Sequence, residues 1–376
     1  MKKRVCFVVS VPMTARAFLL EHMAALMDDY EVYLVSNFQG QSLDDMGLGI
    51  HAIDIPIVRS ISLREDLNAL LKLYRLFKVE QFDVVHSVTP KAGLLAMLAA
   101  KAAGIRYRFH IFTGQVWATK RGALRMLLKF LDKVIAFCAT DILVDSPSQL
   151  DFLIDQGVLS RQKAFVLGDG SISGVNTLRF QPNVFIKNTI RMHHNIPQDA
   201  FVFLFLGRLN YEKGIAELID AFSRLNFLNK KAYLLVVGPE EDDVLKQQSA
   251  LVQRLGLNFV RMGFTSEPEK YMAAADVFCL PSHREGFGTV ILEAAAAGVP
   301  SIGSNIYGIS DAIDDGKTGL LHEKCNVDDL YQKMSYLLDD RAFTASLGKN
   351  ARCRVEDKFL TARIVGAMVA FYQKRL

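Results

Sequence analysis

Short apolar strand-like runs alternate with longer helical patterns along this chain, and they do so twice over, which most restricts the folds it can adopt. In the first half the runs predict strands over 5–10, 32–36, 83–87, 108–112, 142–145 and 164–167. Helical patterns near 15–27, 63–77, 91–103 and 123–139 separate them. A turn-rich stretch follows, Gly168-Asp-Gly-Ser-Ile-Ser-Gly-Val-Asn176 and then Phe180-Gln-Pro-Asn183. Beyond it the alternation restarts, with strands expected over 201–206, 233–237, 258–262, 277–280 and 301–302. The first of these is followed by a helix carrying Ile215, Leu218, Ile219, Phe222 and Leu225 on one face. Such alternation implies parallel sheets with crossover helices, hence an α/β chain of two doubly wound, Rossmann-like halves. The expected domains are 1–180, joined by a C-terminal helix over about 358–376, and 181–357.

The 376 residues suffice for two buried cores, and 51% hydrophobic with 22% charged residues excludes a disordered chain. Cys6, Cys138, Cys279, Cys325 and Cys353 are scattered without a Cys-x-x-Cys pair and read as reduced core residues. The apolar stretch after Lys2-Lys3-Arg4 is too short for a signal peptide, and no spanning helix is expected, so the expected location is the cytoplasm.

Open parallel sheets carry ligands beyond the carboxyl ends of their strands, so the segments that follow the strands are where ligand motifs belong. After the strand at 277–280 comes Glu285-Gly-Phe-Gly-Thr-Val-Ile-Leu-Glu293. Gly286 and Gly288 suit a tight turn, with Phe287 between them, and Thr289 and Val290 open a helix whose N-terminus can hold a phosphate. Glu285 and Glu293 then flank that phosphate and can accept hydrogen bonds from sugar hydroxyls. A solvated acidic helix after a glycine turn would carry the same letters. After the strand at 201–206 comes Gly207-Arg-Leu-Asn-Tyr-Glu-Lys213-Gly214, where Arg208 offers a bidentate fork and Lys213 a point charge, both suited to a diphosphate. Gly238 marks a third strand-end turn, and the acidic run Glu240–Asp243 behind it reads as merely exposed.

These residues resemble the C-terminal half of the retaining GT-B glycosyltransferases of family 4, which carry a Glu-x7-Glu motif and a Gly-Arg…Lys-Gly element. The resemblance spans nearly the whole chain through Asp83-Val-Val-His86, Gly174-Val-Asn176 with Phe180 and Pro182, and Asp314-Asp-Gly-Lys-Thr-Gly-Leu320. It implies two Rossmann-like domains facing a cleft, with the final helix crossing back to the N-terminal domain. It also implies that Glu285 contacts the donor sugar, that Glu293 holds the ribose hydroxyls, and that Arg208 and Lys213 bind the diphosphate. By the same resemblance His110 lies near the donor sugar as a second catalytic residue, followed by Thr113, Gly114 and Gln115 at a strand end. His22, His86, His283 and the His193–His194 pair are read as structural, because no carboxylate or cysteine recurs around them at ligand spacing.

The family's glycines after the first strand are missing from Ser10-Val-Pro-Met-Thr14, and no G-x-G-x-x-G follows any strand, which argues against a dinucleotide cofactor. No Asp-x-Asp occurs, so no metal and no other cofactor are expected, with cations and a helix N-terminus stabilising the departing diphosphate. The resemblance points to a UDP-sugar donor, an N-acetylhexosamine as first choice, and a lipid-linked glycan acceptor in bacterial surface-polysaccharide assembly, O-antigen or capsule. A GT-B-shaped UDP-sugar 2-epimerase and a non-catalytic nucleotide-binding scaffold are the alternatives.

Residues 1–180 carry 21 Lys and Arg against 17 Asp and Glu, whereas 181–376 carry 23 of each, so the basic excess lies in the first half. Much of it falls on a helix where Arg121, Arg125, Lys129 and Lys133 recur every four residues, opposite Leu124, Leu127, Leu128, Leu131, Val134 and Ile135. A basic amphipathic helix suits a membrane surface or lipid diphosphate, giving a peripheral protein on the inner face of the membrane; an ordinary wet helix looks the same. Nucleic acid is not an expected partner, since no recognisable module for it is present.

Overall fold

The computed structural model describes residues 2–39, 49–58, 62–228 and 231–376. It divides into two compact units, Met1–Ser173 with Thr361–Leu376, and Gly174–Leu360.

The first unit is built on β1 (Lys3–Val8), β2 (Tyr30–Ser36), β3 (His51–Asp54), β4 (Val84–Val88), β5 (Tyr107–Phe112), β6 (Asp141–Val144) and β7 (Ala164–Val166). Among the described residues they form one sheet in the order β3-β2-β1-β4-β5-β6-β7, and every pairing is parallel. Strands such as β4, buried along their whole length, read as unbroken apolar runs because helices cover both faces. The C-terminal helix Thr361–Arg375 closes this unit. Ile364, Met368 and Tyr372 recur every four residues and are fully buried, and the Tyr372 hydroxyl meets His86 Nδ1 at 2.7 Å.

The second unit holds β8 (Phe201–Leu206), β9 (Ala232–Val237), β10 (Phe259–Met262), β11 (Val277–Leu280), β12 (Ser301–Ser304) and β13 (Gly319–His322), again parallel, in the order β10-β9-β8-β11-β12-β13. The order in which successive strands are added reverses between β8 and β11, one series running outward to β10 and the other to β13. At such a switch point the two outgoing loops diverge and leave a crevice beyond the strand ends.

The division falls at Ser173, not at residue 180 as the turn composition suggested. Val175 bridges Leu360 and its N–H reaches the Phe359 carbonyl at 2.8 Å, while Phe180 is buried in the core of the second unit. These contacts commit the turn to the later domain. Likewise the terminal helix starts at Thr361 rather than near 358. The single helix expected over 15–27 is two, Pro12–Phe18 and Leu20–Leu26, which meet at Leu19.

Candidate functional site: the switch point of the second sheet

The loops after β8 and β11 carry the two expected motifs to the switch point. After β8, the Asn210 side chain accepts from the Lys213 N–H at 3.1 Å, shaping a 3-10 turn over Tyr211–Lys213 that ends in left-handed Gly214 (φ 68°). After β11, Gly288 (φ 78°) caps the helix Thr289–Ala296, so a residue that tolerates positive φ sits where the chain turns in. The first amides of that helix lack intrahelical partners by geometry, and Thr289 and Val290 supply two of them.

Close backbone approaches knit these loops together. A Cβ on Gly214 would lie 2.0 Å from the Pro281 carbonyl oxygen, and one on Gly238 (φ 138°) would lie 1.9 Å from that of Gly207. Gly308 meets Gly286 in the same way, at 2.4 Å. Only glycine fits at such distances, so the three contacts fix the loops after β8, β9, β11 and β12 relative to one another.

Lys213 and Glu285 meet as an ion pair, Nζ to Oε1, with both side chains largely buried. Ser282 Oγ donates to the same carboxylate oxygen at 2.9 Å, and Arg284 pairs with Glu212 at 2.7 Å, so each loop is tied to the other twice. Glu293 lies in the second turn of the helix, where burial pushes its carboxyl up to about 7 against a smaller opposing effect of Arg179. Near neutral pH this group can therefore donate as well as accept a hydrogen bond, which suits vicinal hydroxyls.

Four expectations change. Arg208 does not join Lys213 and Glu285: half exposed, its Nη1 donates to both Glu241 oxygens at 2.8 and 3.0 Å, with Asn210 on the same carboxylate. The run after Gly238 is thus a partner of the basic loop, and Asp242 accepts from the Tyr211 N–H at 3.1 Å. Phe287 turns its ring into the core against Phe359, at 5.4 Å between centroids, so only its backbone faces the turn. His110 has no surface to offer a donor sugar. It sits mid-strand in β5 of the first unit with no exposed surface, bonded to Ser87 Oγ at 2.8 Å and pressed against Gly93. Burial drives its imidazole down to about 3, so it is neutral and enclosed, a packing residue rather than an acid or base. Sequence reasoning missed Asn210, Glu212 and Arg284, which meet Glu241 and one another across 31 and 72 residues of chain, and it missed Ser282, whose short-range bond to Glu285 depends on how the loop folds.

The helix Gly122–Cys138 of the first unit is also not oriented as expected. Trp117 Nε1 donates to buried Asp132 at 2.7 Å, and Arg125 and Lys129 lie over the same ring and share the Gln156 oxygen at 3.1 Å. Burial raises the Asp132 carboxyl to about 6. With those residues turned inward, Leu124, Met126, Leu127, Phe130 and Phe137 are exposed, beside exposed Arg121 and Lys133. No helix among the described residues is long and apolar enough to cross a membrane.

Two family descriptions match: glycosyl transferases group 1 over residues 186–354 and a glycosyl transferase 4-like domain over residues 14–170. Among curated proteins, the capsular polysaccharide biosynthesis glycosyltransferase CapM of Staphylococcus aureus is 33% identical over 91% of this chain and 89% of its own length. The UDP-Gal:alpha-D-GlcNAc-diphosphoundecaprenol alpha-1,3-galactosyltransferase of Escherichia coli is 26% identical over 92% and 89%. Among solved structures, Anabaena HepE in complex with UDP and glucose superposes with a TM-score of 0.81 at 19% identity, over the full length of both chains, a likeness of fold. With both halves matched, the chain belongs to the GT-B glycosyltransferases of family 4, and it is a glycosyltransferase.

Proposed function

We propose that this transferase moves a sugar from a UDP-sugar to an undecaprenyl-diphosphate-linked glycan, with retention of anomeric configuration, in the assembly of a surface polysaccharide such as capsule or O-antigen. The observation that carries the donor site is the Lys213–Glu285 pair at the switch point, beside the N-terminus of Thr289–Ala296. On this reading an incoming diphosphate takes over Lys213, and the amides of Gly288, Thr289 and Val290 share its charge. Glu285, still held by Ser282, is released to orient the sugar hydroxyls, and Glu293 receives the ribose. Arg208 reaches the diphosphate by exchanging Glu241 for it, while Gly207, Gly238, Gly286 and Gly288 let the backbone come close. These groups supply the charge stabilisation without a divalent ion. His110 has no part in the reaction.

The acceptor class rests on relatives. The E. coli relative is named for a diphosphoundecaprenol acceptor, and a Campylobacter jejuni relative, 28% identical over 86% of this chain, is an N,N'-diacetylbacillosaminyl-diphospho-undecaprenol alpha-1,3-N-acetylgalactosaminyltransferase. The second name supports an N-acetylhexosamine donor, and the first makes UDP-galactose the competitor to test. A thermal-shift screen of UDP-, GDP- and ADP-sugars tests the donor class. At 100 times its Kd a ligand specific to the folded state adds about 2.7 kcal/mol of stability. Uridine nucleotides are expected to raise Tm; a shift confined to guanosine or adenosine nucleotides would overturn the assignment.

A lipid-linked acceptor requires the enzyme to work at a membrane, and we infer a peripheral position on the cytoplasmic face. The apolar row Leu124, Leu127, Phe130 and Phe137 with Arg121 and Lys133 has the makeup of an interfacial helix. Withdrawing one large apolar side chain from water is worth about 1.5–3 kcal/mol, so Leu127→Ser with Phe130→Ser should cut co-flotation with anionic vesicles at least about tenfold. The UDP-sugar thermal shift should not change. Equal flotation of variant and parent would remove the membrane assignment.

A further inference from the structure

A cluster outside the donor contacts brings three different metal-ligating groups together. Glu217, His283 and Cys325 each present one ligand atom, and the three atoms lie within 4.8 Å of one another. They come from separate parts of the second unit: Glu217 from the first turn of the helix Ile215–Leu228, His283 from the loop after β11, and Cys325 from the loop after β13. No local spacing relates them, which is why His283 read as a structural residue in the sequence.

We propose that Glu217, His283 and Cys325 form a binding site for a thiophilic divalent cation, zinc by its chemistry. An imidazole, a thiolate and a carboxylate are the donor set of zinc and its neighbours, whereas magnesium and calcium take oxygen ligands alone. Three protein ligands leave a fourth position open to water. On binding, the Cys325 thiol gives its proton to solvent as the metal–sulfur bond forms, and the 2.8 Å bond between His283 Nε2 and Glu217 Oε1 gives way to two bonds to the cation. Thiolate and carboxylate together balance the ion's charge.

The ligands are held from behind. The His283 N–H donates to the Glu212 carbonyl at 2.8 Å. Cys325 occupies a left-handed turn (φ 59°), flanked by Asn326 capping the helix Val327–Asp339 and bonding Glu323 at 2.8 Å. His322 is directed elsewhere, onto Ser304 and the Glu323 carbonyl, and is not a ligand. Because His283 lies two residues before Glu285, an occupied site would pin the donor loop. The inference stands independently of which sugar is transferred.

Cobalt(II) titration of the whole metal-stripped protein tests it. Parent and Cys353→Ser protein should bind one cobalt per chain with sulfur-to-cobalt charge-transfer absorption in the near ultraviolet, which zinc then abolishes by displacement. Cys325→Ser and His283→Gln, each shown to be folded by circular dichroism, should lose that absorption. Its absence from the parent, or its persistence in either variant, would overturn the proposal.

Discussion

Lys213→Ala is expected to lower kcat by about 10²–10³-fold, the usual loss when one preorganised donor to developing charge is removed. In the resting protein Lys213 neutralises Glu285, so the variant also leaves that carboxylate without its ion pair. Both effects disfavour a bound diphosphate, the first by lost attraction and the second by added repulsion. Glutamine at 285 would relieve only the second. Lys213→Ala with Glu285→Gln should therefore recover donor binding relative to Lys213→Ala while transfer stays low. The fold should tolerate the change, because the turn is set by Asn210 and Gly214 rather than by the lysine side chain. Steady-state kinetics beside a thermal melt separate these effects, and near-normal turnover would remove Lys213 from the diphosphate site.

Gly214→Ala should be the most damaging one-carbon change in the region. The new methyl would enter a left-handed position and meet the Pro281 carbonyl oxygen at 2.0 Å, where only backbone can yield. Strained backbone costs about 1–3 kcal/mol, and parting the two loops adds to it, so a loss of about 2–4 kcal/mol is expected in denaturant melts. Because that contact spaces Lys213 from Glu285, KM for the donor should rise as well. A change within about 0.5 kcal/mol would show that the two loops are not locked there.

Much of the fold is legible in the sequence because buried parallel strands are short apolar runs between helical patterns. The two strands left out of the reading, β3 and β13, are the outermost strands of their sheets. His51-Ala-Ile-Asp54 carries polar ends and is mostly exposed, and Gly319-Leu-Leu-His322 is short and follows a turn, so neither has the apolar length of a central strand. The donor motifs were legible for a different reason: glycines at positive φ and a helix N-terminus leave a local signature. Pairings across the chain leave none. Arg208 with Glu241, Arg284 with Glu212, and the turning of Leu124 and Leu127 to the surface all depend on tertiary packing. Phe287 and His110 misled in the same way, since a motif letter does not say which way a side chain points. Cys325 and Cys353 are exposed for similar reasons, although cysteines are usually buried.

The central claim is sugar transfer from a uridine nucleotide to a lipid diphosphate. Its most direct test is to incubate the protein with UDP-sugars labelled in the sugar, UDP-N-acetylhexosamines and UDP-galactose among them, with and without an undecaprenyl-diphosphate-linked saccharide. The account predicts label in the lipid fraction only when acceptor is present, one UDP released per sugar moved, and an anomeric configuration in the product matching the donor. Isomerised or hydrolysed sugar nucleotide with no lipid product would contradict it.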